Sequence, residues 1–198
     1  HRLDSTFVRE FLKRIKAFRL VDSEKSNLTI EELKSGEYFG DGIDGKIVKL
    51  VDGRYERSFP GMASRYAVSL NEVGFGDLDN DGDNDAAVIL AESGGGSGTF
   101  MLLTVVENDG GKPRYVTHAG LGDRVRINAI EINVEDIIVN LLMHAKEDGL
   151  CCPSVPTIRL FSLSEGKLME SDQTKQADFS FSFFQWKTYR NEEYGFEF

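Results

Sequence analysis

Cysteine is almost absent from this sequence: two of the 198 residues are cysteines, and they are neighbours, Cys151 and Cys152. A disulfide framework needs several separated cysteines, and adjacent cysteines bond to each other only across a strained connecting peptide. The sequence therefore argues against a disulfide-stapled domain. We expect the pair to be reduced and free of metal, packed at the start of a strand that includes Ile158 and Leu160.

Long apolar runs and an excess of positive charge are also missing. No run approaches the roughly 20 apolar residues that a membrane-spanning helix requires. The chain has 23 Lys and Arg residues against 33 Asp and Glu residues, a net charge of −10, which disfavours binding to nucleic acid or to an anionic membrane surface. We expect no nucleic-acid partner and no transmembrane segment. The sequence opens at His1 without a signal peptide, which leaves a removed leader open.

Two short N-terminal helices are predicted before the strands begin. Apolar residues recur at helical spacing over residues 4–20, behind an Asp or Ser that is suited to an N-cap. Thr29 is followed three residues later by Glu32, which is the pattern of a capping box. This second pattern predicts a short helix that ends near Lys34.

The period of the apolar residues then changes from 3.6 to 2, which predicts strands. Lys46–Val51 and Arg54–Ser58 flank Asp52-Gly53, the strongest short signal for a hairpin. Turn residues bound the further predicted strands, which cover residues 64–70, 86–91, 99–107, 114–119, 125–133 and 137–144. The expected fold class is α+β: a mostly antiparallel β-sheet meander with one or two short N-terminal helices.

Two strands and the C-terminal tail depart from this pattern. Residues 86–90 and 100–106 barely alternate, so we expect both strands to be central and covered on both faces. Residues 1–170 are the predicted β-rich domain, and residues 171–198 combine a polar linker with an aromatic, alternating segment that could start a second domain. Because sheet edges readily accept an unpaired strand, we expect this segment to extend its own sheet or that of a second copy, giving a homodimer.

The most informative motif runs from Asp77 to Asp85 and fits the pattern D-x-D-x-D-G-x-x-D. Calcium is a hard cation that binds about six to eight oxygens, and alternate Asp residues can turn their carboxylates inward around such an ion. Gly82 permits the sharp turn because glycine accepts dihedral angles that other residues avoid. The sequence therefore predicts a Ca²⁺ site whose ligand residues are Asp77, Asp79, Asp81, Asp83 (through its carbonyl oxygen) and Asp85.

This loop departs from an EF-hand at one position. The twelfth residue, which should be a bidentate Glu, is Val88 in an apolar strand. The loop is therefore EF-hand-like but set between strands, similar to dockerin-like and integrin-type repeat loops, and a further oxygen would come from Glu92 or from water. Five Asp residues in nine positions repel one another unless a cation neutralises them. We expect a structural calcium ion that holds the turn shut.

No other motif indicates catalysis. The glycine-rich residues 93–98 lack the Gly-Lys-Ser/Thr step of a phosphate-binding loop and predict a hairpin tip, which could still contact a ligand. His118, His144 and the two cysteines match no zinc-site spacing. Three hypotheses follow. The first is a structural or ligand-binding module, which the resemblance described next implies to be extracytoplasmic, with an envelope protein or a small molecule as its partner. The second is a metal-dependent hydrolase that uses the Asp cluster and a His. The third is an envelope inhibitor or adaptor.

Taken together, these motifs resemble a group of uncharacterised bacterial exported proteins. The second half is similar to the LppP/LprE-type lipoproteins, which share a Cys-Cys-Pro-Ser step, and the tail resembles the opening strand of PsbP-like domains. The segments that carry the resemblance are residues 75–82, 85–88, 94–98, 121–125, 151–154 and 189–198. The resemblance implies an envelope or secreted location and an antiparallel β-rich fold, and it implies no activity. The Cys that carries the lipid in such lipoproteins is absent from this sequence.

Overall fold

The computed structural model describes residues 27–40, 46–61, 64–133, 136–171, 190–191 and 196–197. The helix predicted over residues 4–20, and most of the predicted linker and aromatic segment, lie outside these residues. The elements are helix α1 (Ile30–Lys34) and strands β1 (Glu37–Gly40), β2 (Lys46–Lys49), β3 (Arg54–Ser58), β4 (Arg65–Gly76), β5 (Asp85–Ser93), β6 (Phe100–Asn108), β7 (Pro113–Asp123), β8 (Arg126–Asn133), β9 (Asp136–Met143), β10 (Val155–Ser164), β11 (Lys167–Glu170), β12 (Arg190–Asn191) and β13 (Phe196–Glu197).

Two antiparallel sheets form most of the structure. Strands β3 to β7 lie side by side in chain order in a five-stranded sheet, and β8 to β11 do the same in a four-stranded sheet. Strands β1 and β2 form a separate two-stranded ladder. The predicted antiparallel meander is confirmed, because within both larger sheets each strand pairs with its neighbours along the chain.

Helix makes up very little of the described structure. Helix α1 spans five residues and begins with the predicted capping box. In this box Thr29 N donates to Glu32 Oε2 at 2.8 Å, and Glu32 N donates to Thr29 Oγ1 at 3.3 Å. So short a helix does not confirm the α+β class, and the described residues are mostly antiparallel β-sheet. No helix among them is long and apolar enough to cross a membrane.

The Asp52-Gly53 signal predicts the turn correctly but not the strand pairing around it. Both residues have positive φ angles, 52° and 76°, and Val51 and Arg54 on either side form an isolated bridge. Beyond this bridge, β2 pairs with β1 whereas β3 pairs with β4. The predicted hairpin between β2 and β3 is therefore wrong. Before the turn, Leu50 N donates to Gly36 O at 3.0 Å and so still belongs with the β1–β2 ladder. After the turn the chain enters the five-stranded sheet as β3.

The five-stranded sheet is covered on both faces, as predicted for its two central strands. Alternate residues of β5 show this arrangement: Val88 and Leu90 pack into a core with α1 and the β1–β2 ladder. Ala87 and Ile89 point the other way, into a second core shared with the four-stranded sheet. Burial on both faces explains why the sequences of β5 and β6 do not alternate between apolar and polar residues.

The two sheets approach each other closely at the end of β4. A Cβ atom on Gly76 would lie 2.5 Å from Ile132 Cγ2, and a Cβ atom on Gly74 would lie 3.3 Å from the carbonyl oxygen of Ile130. Strand β8 therefore packs directly against the backbone of β4. This contact fixes the point at which the chain leaves the sheet and enters the predicted metal-binding loop.

The described part of the C-terminal tail is a two-residue ladder, in which Arg190 pairs with Glu197 and Asn191 pairs with Phe196. Strands β12 and β13 thus pair with each other, and neither extends the edge of the two larger sheets. The homodimer formed through the tail and the domain division at residue 170 stay predictions.

Candidate metal centre

The nine-residue acidic motif connects β4 to β5, and we call it the acidic loop (residues 77–85). Strand β4 ends at Gly76 and β5 begins at Asp85, so the loop lies between strands, as predicted. Asn80 and Gly82 have φ angles of 61° and 86°, in the left-handed region that reverses the chain direction within a short loop. The chain therefore curls where a calcium-binding loop requires it to.

Three of the predicted ligand residues converge within this loop. Asp77, Asp79 and Asp85 each offer a carboxylate oxygen, and these oxygens lie within 4.8 Å of one another. Two oxygens that bind one Ca²⁺ ion at about 2.4 Å can be at most about 4.8 Å apart. The spacing therefore fits a single calcium ion, and further coordination positions are left for carbonyl oxygens, water or a ligand.

Asp85 is the buried member of the group, with 1% of its surface exposed. Its Oδ2 accepts a hydrogen bond from Leu78 N at 2.8 Å, and its Oδ1 accepts one from Asn108 N at 3.0 Å. Burial raises the pKa of this carboxyl; the two backbone hydrogen bonds oppose the rise, and the charges of Asp79 and Asp81 add to it. A cation among these carboxylates would offset both the burial and the repulsion.

Asp77 has one oxygen engaged and one oxygen without a partner. Its Oδ2 accepts from Gly82 N at 2.9 Å. Its Oδ1 is buried and has no hydrogen-bond partner within the part of the chain that the structure describes. Burying a carboxylate oxygen without a partner is unfavourable, and a bound cation would satisfy it. Asp79 is exposed, and its Oδ1 accepts from Asp81 N at 3.1 Å.

Two predicted ligand residues, Asp81 and Asp83, lie outside this carboxylate group. Asp81 Oδ1 accepts from Asp83 N at 2.9 Å, a bond that shapes the turn. The prediction that Glu92 could supply a further oxygen is wrong, because Glu92 lies too far from the loop. It pairs with Phe100 at the far end of β5, seven residue steps along the strand from Asp85, which is about 23 Å. Val88 is fully buried in the core, which agrees with its exclusion as a ligand.

A cleft of about 290 Å³ borders the acidic loop. Asp79 and Asn80 line its loop side, Glu107 lines it from β6, and the β10–β11 turn at Glu165-Gly166 closes the other side. Glu107 forms an ion pair with Arg114, so Asp79 and Glu165 are the remaining acidic residues of the lining. The cleft gives solvent and small molecules access to the exposed side of the loop.

The two histidines that the structure describes, His118 and His144, do not join the acidic loop. The ring of His118 stacks on Phe39 with centroids 4.4 Å apart, and His144 Nε2 lies 3.2 Å from the carbonyl oxygen of Arg124. Among the described residues, neither histidine belongs to the metal-ligating group. The described structure therefore does not bring a histidine to the Asp cluster, as the hydrolase hypothesis requires.

The cysteine pair differs from the prediction made for it. Cys151 and Cys152 are bonded to each other in a vicinal disulfide. Both are exposed in the connection between β9 and β10, which we call the cysteine loop (residues 144–154). The prediction of a reduced pair packed at a strand entry is therefore wrong. The bonded pair lies in the irregular connection outside both strands.

Sequence reasoning missed Asn108, the last residue of β6 before the β6–β7 turn, whose N–H holds Asp85 in place. Asn108 Oδ1 also accepts from Gly111 N at 2.7 Å within that turn. The string Asn-Asp-Gly-Gly at residues 108–111 is recognisable as a turn from sequence. Its contact with Asp85 depends on the pairing of β5 with β6, which no local pattern encodes.

None of the family models, curated proteins or solved structures compared with this chain matches it. The resemblance to exported proteins and lipoproteins therefore stays a prediction. The function has to be inferred from the geometry of the acidic loop and its surroundings.

Proposed function

We propose that this protein is an extracytoplasmic module of antiparallel β-sheet that is stabilised by one calcium ion in the acidic loop. The observation that carries this proposal is the convergence of oxygens from Asp77, Asp79 and Asp85 within 4.8 Å of one another. The role of the ion is structural. It neutralises the carboxylates and closes the connection between β4 and β5. Strand β5 is buried between the two cores of the described structure.

The chemistry of the ligand group favours calcium over a transition metal. The described group contains carboxylate oxygens and neither imidazole nor thiolate, which suits hard cations such as Ca²⁺ rather than zinc or copper. The unpartnered buried oxygen of Asp77 and the raised pKa of Asp85 both support a cation at this place. The spacing of the Asp residues around Gly82 supports calcium in particular.

The extracytoplasmic part of the proposal has two supports. An exposed disulfide persists in an oxidising compartment outside the cytoplasm. A loop with three converging carboxylates, one of them exposed, should bind calcium weakly, with a Kd on the order of 10⁻⁴–10⁻³ M, as extracellular calcium modules do.

The cleft beside the loop gives this module a place to bind a partner. Protein carboxylates fill fewer positions than the about six to eight that calcium coordinates. Oxygens of a small molecule or of an envelope protein that enters the cleft beside Asp79 and Asn80 can therefore complete the coordination shell. In this form, calcium both closes the turn and presents a binding surface.

Thermal unfolding in calcium and in chelator tests the proposal. At free calcium about 100 times the Kd, a site present only in the folded state stabilises it by about 2.7 kcal/mol, which raises the melting temperature of a domain of this size by about 5–10 °C. Asp77→Asn and Asp79→Asn should remove most of the rise. Asp109→Asn, which changes an exposed Asp in the neighbouring β6–β7 turn, should keep it. A melting temperature that does not respond to calcium would contradict the proposal.

A further inference from the structure

The disulfide in the cysteine loop does not have the properties of a structural cross-link. A disulfide stabilises a fold mainly by closing a long loop in the unfolded chain. The bond between Cys151 and Cys152 has no residue between its ends, so it closes no such loop. Both residues are exposed, and the bond therefore adds no packing to the core.

Other contacts hold the cysteine loop in place. Asp148 Oδ2 accepts from Ala145 N at 2.7 Å and from Ser154 N at 2.9 Å, and Asp148 Oδ1 accepts from Ser154 Oγ at 2.9 Å. Ser154 N also bonds to Met143 O at 3.1 Å. These bonds join the two ends of the loop without involving either sulfur. Opening the disulfide should therefore leave the frame of the loop intact.

The two cysteines line an open groove that carries positive charge. The groove has a volume of about 510 Å³, and Met101 and Ile127 form part of its apolar lining. Arg124 and Arg126 supply the charged groups in this lining. Arg124 is paired with Asp123, whereas exposed Arg126 forms no ion pair within the described part of the chain. In a protein with a net charge of −10, a cationic groove beside an exposed disulfide is a local exception.

We propose that Cys151–Cys152 is a reversible redox centre that exchanges with small anionic thiols, which the guanidinium of Arg126 attracts into the groove. A thiolate of the small molecule attacks one cysteine sulfur, the protein S–S bond breaks, and the electron pair leaves on the other sulfur, which takes up a proton. A second thiolate then attacks the small-molecule sulfur of the mixed disulfide, the bond from that sulfur to the cysteine breaks, and the electron pair leaves on the cysteine sulfur, which takes up the second proton. The sum is one protein disulfide and two small thiols giving two protein thiols and one small-molecule disulfide, with two electrons and two protons transferred.

The charge of the small thiol should matter because of where Arg126 lies. Attraction between a cationic groove and an anionic reactant raises the local concentration of the reactant and its association rate, and the effect weakens with salt. A neutral thiol gains nothing from this attraction. The intrinsic reactivity of the disulfide affects the rate constants of both thiols. The ratio of the two rate constants in one variant therefore reports the effect of the charge of the groove.

The test measures reduction of the full chain by glutathione, which is anionic, and by 2-mercaptoethanol, which is neutral, at low salt. Alkylation and mass spectrometry count the thiols released, and circular dichroism follows the fold. We expect both cysteines to become reactive together, reversibly, with an unchanged spectrum. We expect Arg126→Gln to lower the ratio of the two rate constants about threefold. Lys112→Gln removes an exposed positive charge beyond the other end of β6 and should leave the ratio unchanged.

Three results would overturn the proposal. The first is a pair that stays as free thiols in oxidised glutathione, because the bond would then not form in solution. The second is a disulfide that is reduced only in urea, because it would then be inaccessible in the folded chain. The third is an unchanged rate ratio in Arg126→Gln, which would remove the role of the groove. The double variant Cys151→Ser, Cys152→Ser controls for background alkylation and should melt at the temperature of the parent.

Discussion

The acidic loop and the cysteine loop each connect two neighbouring antiparallel strands, but their carboxylates lie in opposite electrostatic settings. In the cysteine loop, hydrogen bonds from Ala145 N and from Ser154 hold the pKa of Asp148 below its ordinary value. In the acidic loop, Asp85 also accepts two backbone hydrogen bonds, yet burial and the charges of Asp79 and Asp81 raise its pKa. Backbone hydrogen bonds favour the ionised form of a carboxyl group, but burial and neighbouring negative charges can outweigh this effect. Where the hydrogen bonds are outweighed, a bound cation would offset the burial and the repulsion.

The largest expected effect comes from removing the buried carboxylate of the acidic loop. Asp85→Ala leaves the N–H groups of Leu78 and Asn108 buried without an acceptor, and we expect it to lower the free energy of unfolding by about 3 kcal/mol even in chelator. Asn84→Ala, which changes an exposed residue of the same loop, should have little effect in chelator. Urea denaturation measures both. A loss at Asp85 below about 1 kcal/mol would show that its hydrogen bonds do not anchor the loop.

A smaller loss is expected from disturbing the sheet contact that precedes the acidic loop. Gly76→Ala places a Cβ atom 2.5 Å from Ile132 Cγ2, and such overpacking typically lowers the free energy of unfolding by about 1–3 kcal/mol. Gly120→Ala is the matched control in β7, because a Cβ atom there meets nothing within 4 Å. We expect the control to be neutral or slightly stabilising in the same urea experiment. Equal effects at both glycines would contradict the close packing of β8 on β4.

The smallest effect is expected from Asp148 in the cysteine loop, and this effect should depend on pH. Because the pKa of Asp148 is lowered from its ordinary value of 3.8 in the folded state, its ionised form stabilises the fold. This contribution is fully present above 3.8 and is lost as the pH falls through the lowered folded-state value. The urea midpoint of the parent should exceed that of Asp148→Asn at pH about 6, and the gap should narrow below pH about 3.5. A gap that is constant with pH would contradict the assignment.

Local patterns predict the strands better than they predict the pairing between strands. The apolar runs of β5 and β6 identify two central strands because burial on both faces removes the alternation that a half-exposed strand shows. The Asp52-Gly53 signal gives the correct turn, since both residues adopt the positive φ angles that such a turn needs. It cannot show that β2 and β3 belong to different layers. That outcome depends on Leu50 and on core contacts formed far along the chain.

The sequence likewise predicts only part of the candidate site. The spacing of the Asp residues predicts the acidic loop, and the structure brings Asp77, Asp79 and Asp85 together. The distance to Glu92 could not be read from spacing, because it depends on β5 being one extended strand of nine residues. The disulfide was missed for a similar reason. The neighbours of Cys151 and Cys152 in the sequence do not show that the pair lies in an exposed loop rather than at the start of a strand.

Isothermal titration calorimetry of calcium into the metal-free full chain tests the central claim most directly. The account predicts one ion bound per chain with a Kd on the order of 10⁻⁴–10⁻³ M, and loss of the binding heat in the double variant Asp77→Asn, Asp79→Asn. The cysteine-loop variant Asp148→Asn should bind calcium as the parent does. Absence of saturable calcium binding in the parent, or equal binding in the double variant, would contradict the assignment of the acidic loop as a calcium site.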